Sequence, residues 1–402
     1  MEKKVIDAVE GGRNVFISGC GGVGKSWTLN MIREKFNKFC VTSSTGISAL
    51  LIGGITFHSM NGIGLGKDSV EEYVKKIRFN AKQLKYIKSL QGIILDECSM
   101  LGASYFEKVD LVFREIRGVN KPFGGIQMII SGDFFQLPPV QDKYLFETSV
   151  WYQMKLVNII LTEVKRQTDK DFIKILMKLR EGKMTKDIAN FLQNYVRKAD
   201  DNIVKLCPLK KQAEEHNKKM LDQIEEEERS YDAKMGAISK VSPKVAENMF
   251  NFMIENMTAP NYLILKKSCK VLFLVNDKDK KLVNGSEGIV VDFIKSYPMV
   301  KFGDKLVHVI PHKYEVKDKD GNVFYYEQLP LLVCYAISIH KSQGLSLQKA
   351  SINIGSKIFT QGQAYVALSR IVSLEGLYIE SFDKRSFIVD DKVVDFYTNN
   401  CR

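Results

Sequence analysis

The sequence predicts an α/β protein: an open parallel sheet carrying a phosphate-binding loop, a second α/β unit after it, and a small β-rich insertion inside that second unit. Three observations predict it. The apolar run Val15-Phe16-Ile17 leads into Gly19-Cys20-Gly21-Gly22-Val23-Gly24-Lys25-Ser26 and then into Leu29, Ile32 and Phe36 at helical spacing, so the order is strand, glycine loop, helix. Gly92-Ile93-Ile94-Leu95 is apolar throughout, as a strand covered on both faces must be, and it ends in Asp96-Glu97. From about 266 to 328 the texture changes to short β-like runs punctuated by Asn284-Gly285, Asp304 and Asp320-Gly321.

Each residue type in the glycine loop has a physical reason to be there. Gly21, Gly22 and Gly24, with Val23 between them, let the backbone curl so that successive N–H groups face an anion. Lys25 reaches the β- and γ-phosphates, Ser26 is placed to ligate Mg²⁺, and the helix that follows presents its positive end.

Composition sets the bounds. A chain of 402 residues is too long for one core and predicts two to four domains. With 45% hydrophobic and 26% charged residues it is globular, and no apolar run approaches the ~18 residues of a membrane span. The net charge of +12 favours a polyanionic partner. Seven cysteines without a CxxC pair, and five scattered histidines, predict reduced thiols in an intracellular protein rather than disulfides or a zinc site. Met1-Glu2-Lys3-Lys4 has no leader-peptide character.

Along the chain, residues 5–10 read as a short helix, and Phe39-Cys40-Val41-Thr42 as a strand ending in the polar turn Ser43-Ser44-Thr45-Gly46. The loop 53–64, with Phe57, His58 and Asn61, has the composition of a segment that follows a nucleic-acid strand, and equally that of a purely structural loop. Residues 68–90 read as helix. Asp96 and Glu97 have the arrangement of a Mg²⁺-side carboxylate and a base that orients water. The strand Gln127–Ile130 gives way to Ser131-Gly132-Asp133-Phe134-Phe135-Gln136, where Gln136 is placed to sense a γ-phosphate. After Leu161–Gln167 a new unit begins, with Phe172, Ile175, Leu176 and Leu179 on one helix face, a strand at 203–207, and Glu225–Glu228 as a solvated helix face. It resumes at Leu331–Ile339, running into His340-Lys341-Ser342-Gln343-Gly344, and an amphipathic helix over 361–370 ends in Arg370, whose planar fork suits a phosphate.

The strings GCGGVGKS (19–26), TSSTGISALLIGGITFHS (42–59), ILDECSM (94–100), PFGGIQMIISGDFFQLPPV (122–140), KRQ (165–167), YAISIHKSQG (335–344) and AYVALSR (364–370) resemble those of the Pif (petite integration frequency) DNA helicases, RecD-like members of helicase superfamily one, group B. The resemblance covers nearly the whole chain. It implies two RecA-like P-loop domains in tandem: 1A over 1–165, and 2A over 166–265 and 329–402. It also implies a small wedge insertion 1B near 62–80 and an SH3-like insertion 2B over 266–328. ATP and Mg²⁺ would lie between the lobes, with Lys25, Glu97, Gln136, Arg166 and Arg370 catalytic, Ser26 and Asp96 on the metal side, and Gly344 beside the nucleotide. Phe57, His58, Asn61, His340 and Lys341 would follow single-stranded DNA, and Gly64-Leu65-Gly66 sits where relatives carry a strand-splitting pin. Members typically translocate 5′ to 3′, unwind forks and RNA–DNA hybrids, and resolve G-quadruplexes, so the implied partner is single-stranded or forked DNA met by a monomer. Relatives usually begin with an adenine-reading leucine-serine-x-glutamate-glutamine segment; residues 2–10 contain no Gln, so the resemblance carries no adenine selectivity. An ATP-gated single-strand-binding recruitment module and an RNA-directed motor remain as alternatives.

Overall fold

Six strands form the first sheet: β1 (Val15–Ser18), β2 (Phe39–Ser43), β3 (Ile55–Thr56), β4 (Gly92–Asp96), β5 (Gln127–Gly132) and β6 (Val157–Ile160). Their spatial order is β3-β2-β4-β5-β1-β6, and every neighbouring pair is parallel. The structure is a computed structural model that describes the chain except for residues 1, 65, 201–202, 276, 278, 283, 319–321 and 401–402. Strands β1 and β4 are buried at every position, the condition under which an uninterrupted apolar run is the stable choice. Parallel pairing sends all six carboxyl ends to one edge, and the registers Ser18↔Gly132 and Ser43↔Asp96 align them. The glycine loop, the Ser43-Ser44 turn, Asp96-Glu97 and Asp133–Gln136 therefore leave the sheet side by side, where open α/β sheets meet ligands.

A second parallel sheet has the order β8-β7-β9-β10, built from β7 (Lys205–Cys207), β8 (Ala336–Ser338), β9 (Ala350–Ile354) and β10 (Leu377–Phe382). One buried cluster takes Ile17 and Leu29 from the first lobe and Leu206, Ile337, Ile352 and Tyr365 from the second, so the lobes share a core. The segment around Arg370 differs from expectation. Helix Gln363–Leu368 is buried at all six positions rather than amphipathic, because it is wedged between the two lobes.

Between β7 and β8 the chain makes the β-rich insertion. A five-stranded antiparallel sheet runs from Lys270–Phe273 to Leu331–Val333, a three-stranded sheet joins Lys234–Ala237 to His312–Lys317 and Val323–Gln328, and Glu228–Asp232 pairs with Tyr262–Lys266. Val271, Phe273, Val290, Val300, Phe302 and Leu331 give it a core of its own. The antiparallel strands begin at Glu228, well before residue 266. Glu225–Glu228 is not a helix face: the preceding helix ends at Asp222, and Glu228 opens a strand whose residues alternate exposed and half-buried, with no apolar run to betray it.

Residues 68–90 form two helices, Val70–Phe79 and Ala81–Ser89, broken at Asn80, whose side chain caps the second by accepting from the Gln83 N–H. Tyr73, Val74 and Ile77 pack into the first lobe's core. The preceding loop is tied down by Tyr105, whose hydroxyl donates to the Gly64 carbonyl at 2.8 Å, and by Lys108, which donates to Gly66 and Asp68 carbonyls at 2.6 and 2.9 Å. Leu65, the centre of the expected wedge, lies outside the described residues, as do Asp320-Gly321.

The last helix, Asp391–Asn400, returns to the first lobe although the chain has just left the second sheet. Phe396 sits among Phe16, Phe134, Phe146 and Trp151, with ring centroids 4.4–6.0 Å away, and Lys392 pairs with Glu147. Among the described residues no helix is long and apolar enough to cross a membrane, and Cys20, Cys40, Cys98, Cys207, Cys269 and Cys334 are free thiols.

Candidate active site

The glycine loop joins β1 to the helix Lys25–Lys35 through backbone that side chains tolerate poorly. Gly24 caps the helix at φ 89°, and a Cβ on Gly22 would stand 2.6 Å from the Arg166 side chain. Val23 turns its side chain into the core, leaving the loop backbone to face the cleft. Lys25 is buried, and its ammonium donates to the Gly19 and Cys20 carbonyls at 2.7 and 3.1 Å, which centres the charge within the loop.

The acids at the end of β4 are held by the neighbouring strand end. Ser44 donates through its hydroxyl to the Glu97 carbonyl at 2.6 Å and through its N–H to the Asp96 carbonyl at 3.1 Å. Glu97 adopts φ 49°, ψ 43°, a left-handed conformation uncommon for a non-glycine residue and characteristic of functional sites. Its N–H donates to the Asp96 carboxylate at 2.9 Å. Burial raises the Asp96 carboxyl above its ordinary range. Burial, and then the negative charge of Asp96, push Glu97 up to about 7, a value suited to a general base at neutral pH. Glu97 Oε2 is sealed from solvent without a hydrogen-bond partner, an orphaned acceptor in a residue that lines the cleft.

Gln136 is buried beside Asp133, its amide donating to Asp133 Oδ2 at 3.4 Å. Asp133 in turn is gripped by Arg180 through bonds of 2.7 and 2.9 Å, and the pair is almost wholly buried. Burial acts to raise Asp133, yet Arg180 overcomes it and holds the carboxyl below its ordinary range. Tyr397 completes the support: its hydroxyl shares a 2.6 Å hydrogen bond with Ser18 and accepts from the Phe134 N–H at 3.2 Å.

The second lobe brings its cations to the loop. A Cβ on Gly21 would lie 3.0 Å from Arg370 Nη2 and 3.4 Å from Arg166 Nη1. Arg166 donates to Ser346 Oγ and the Ser369 carbonyl at 2.9 and 3.0 Å, and Arg370 to Ser369 Oγ at 2.8 Å. Burial first, then the like charge of Arg166, move Arg370 below the ordinary guanidinium range, the situation of a cation held ready for an anion. A cavity of about 590 Å³ is lined by Gly21, Gly22, Gly24, Lys25, Ser26 and Glu97 on one side and by Arg166, Gly344, Ser346 and Arg370 on the other, with Gln136 also in its wall.

A profile described as PIF1-like helicase matches residues 2–190. An ATP-dependent DNA helicase Pif1 of Bdellovibrio bacteriovorus is 32% identical over 98% of this chain and 90% of its own. The chain belongs to the PIF1-like helicase family. The ATP-dependent DNA helicase PIF1 of Xenopus laevis is 38% identical over 98% of this chain, which spans 63% of that relative's length. Among solved structures, a Bacteroides Pif1 in complex with ADP-AlF4 aligns at TM-score 0.85 with 27% identity, covering 100% of this chain and 97% of that one. A Bacteroides Pif1 bound to single-stranded DNA aligns at TM-score 0.64 with 27% identity, over 99% and 95%.

The residues expected to follow DNA divide into two groups. Phe57 and Asn61 are fully buried: Phe57 packs on Phe106, and Asn61 donates to the Phe57 carbonyl while accepting from the Ile63 N–H and the Tyr105 hydroxyl. They brace the loop from inside. His58 is half-buried and stacks on Tyr105 at 4.1 Å; His340 is half-buried beside the exposed Phe359 at 6.0 Å; Lys341 is exposed. His58 and His340 follow the carboxyl ends of β3 and β8. Sequence reasoning missed Asp133, Arg180, Tyr365 and Tyr397. Tyr365, whose hydroxyl accepts from the Gly21 N–H at 3.0 Å, stands in the same string as Arg370, and Asp133 in the same string as Gln136; Arg180 and Tyr397 stand in none.

Proposed function

We propose that this chain is an ATP-dependent DNA helicase that moves 5′ to 3′ along single-stranded DNA, opens duplex at forks, and also acts on RNA–DNA hybrids and G-quadruplexes. The observation that carries the reading is the pair of second-lobe guanidinium groups, Arg166 and Arg370, set against the first lobe's phosphate loop across a cavity that also holds Lys25 and Glu97. A triphosphate suits the cavity because Lys25, Arg166 and Arg370 line it together with the loop backbone, and the unpaired Glu97 Oε2 is left to accept from a water.

In this reading Lys25 and the loop backbone bind the phosphates, and Ser26 and Asp96 are the residues that would hold Mg²⁺. One carboxylate and one hydroxyl suit a hard cation of that kind, which would supply neutralisation of phosphate charge when bound. Glu97 accepts the proton of the attacking water, Gln136 orients that water, and Arg166 and Arg370 stabilise the charge that develops as the bond from the γ-phosphorus to the leaving oxygen breaks. Both arginines belong to the second lobe and are held by its Ser346 and Ser369, so loss of the γ-phosphate removes what draws the lobes together. His58 on one lobe, and His340 with Lys341 on the other, then take turns gripping the strand. The family resemblance and the relatives' names support DNA as the track.

The test is strand displacement with DNA and RNA substrates bearing single-stranded tails of either polarity. ATP-dependent release from 5′-tailed DNA and not from 3′-tailed DNA is the expected result. DNA-stimulated hydrolysis with no displacement would instead establish the recruitment module, and displacement confined to RNA tracks the RNA motor.

A further inference from the structure

The floor of the cleft is closed and its rim is not. Lys25, Asp96, Gln136 and Arg370 are between 2 and 9% exposed, whereas Trp27, two residues past Lys25 and also lining the cavity, is 52% exposed. Half the surface of an indole left in water on a helix's first turn contributes nothing to the core; Trp27 belongs to none of the three apolar clusters. It does have a neighbour across the rim. Lys165 sits with its ammonium 5.2 Å from the indole centroid, a cation–π contact, while its own N–H donates to the Gly22 carbonyl at 2.8 Å and anchors it to the phosphate loop.

We propose that Trp27, steadied by Lys165, is the platform on which the nucleobase of the bound nucleotide stacks. The proposal rests on the nucleotide reading above and adds to it. The polyphosphate is drawn to the buried cations, so the nucleoside is left at the open rim, where the exposed flat apolar surface in the cavity wall is the indole. A π-face accepts any base, and a larger ring system better than a smaller one. Trp27 therefore selects nucleotide over bare polyphosphate, and purine over pyrimidine, without separating adenine from guanine. Lys165 leaves one indole face occupied and the other free for the base.

The experiment is calorimetric titration of the full chain, as wild type, Trp27→Ala and Trp27→Phe, with ADP, GDP and inorganic pyrophosphate. By the usual worth of a base–aromatic stack, Trp27→Ala weakens ADP and GDP alike by about 10-fold and leaves pyrophosphate within about 2-fold; Trp27→Phe recovers most of the loss. Indole emission gives an independent readout, because the other tryptophan, Trp151, is buried in the first lobe: ADP shifts the wild-type emission and not that of Trp27→Ala. Equal losses for ADP and pyrophosphate would overturn the platform, as would unchanged ADP affinity accompanied by weaker single-strand binding. A wild-type chain that binds none of the three ligands would instead remove the nucleotide reading itself.

Discussion

Glu97→Gln tests the electrostatics of the site without any DNA. The Glu97 carboxyl is raised from an ordinary 4.5 to about 7 by burial and then by Asp96. At about 1.36 kcal/mol per pH unit this amounts to a few kcal/mol of unfavourable charging in the folded state. Part of that belongs to Asp96, and the residue as a whole is only half-buried, so about 2 kcal/mol is the working figure. The sign follows from linkage. A carboxyl raised on folding stabilises the fold below its unfolded value, and that contribution is lost as pH climbs through the folded value. Wild type should therefore lose about 2 kcal/mol relative to Glu97→Gln between pH 5 and pH 8.5. The amide's new buried N–H groups cost the variant about 1 kcal/mol, equally at every pH, so they move its curve without tilting it. Urea denaturation of both proteins at four pH values reads the difference. A gap that stays constant from pH 5 to pH 8.5 would refute the argument. In the same variant hydrolysis should fall about 10²–10⁴-fold while nucleotide binding persists.

Four further outcomes are expected. Arg370→Ala should reduce ATP turnover by about 10³–10⁵-fold, as loss of an arginine finger does; steady-state hydrolysis at the parent rate would remove Arg370 from the reaction. Arg180→Ala strands the buried Asp133 carboxylate and should cost about 3–5 kcal/mol of stability by denaturant titration, with Arg180→Lys failing to restore the two-pronged grip. Phe57→Ala should cost about 3–5 kcal/mol as a core truncation and leave the folded protein's single-strand affinity unchanged. Lys341→Ala should do the reverse, lowering the slope of log affinity against log salt by about 1 in oligonucleotide titrations.

The parts of the site that could be read from the chain are those whose chemistry and geometry are local. Strand, glycine loop and helix lie within about twenty residues, and Asp96-Glu97 follows its strand directly, so residue types in order already dictate where the groups emerge. Phe57 and Asn61 show the limit: a loop of glycines, an aromatic and an imidazole has a composition, but composition does not say which side chains turn inward. The Asp133–Arg180 pair and the Tyr397 contacts join residues 47 and 264 positions apart, and no local pattern announces such partners. The start of the insertion escaped for a related reason. Glu228–Asp232 is held by pairing with Tyr262–Lys266 rather than by its own apolar content.

The helix Asp391–Asn400 changes what the two lobes are able to do. Because its aromatic residues are sunk into the lobe opposite the sheet it follows, the peptide crosses the seam twice, once near 165 and again near 385. Two short crossings flank a common apolar core, so the walls of the cleft are held in register from both ends of the seam.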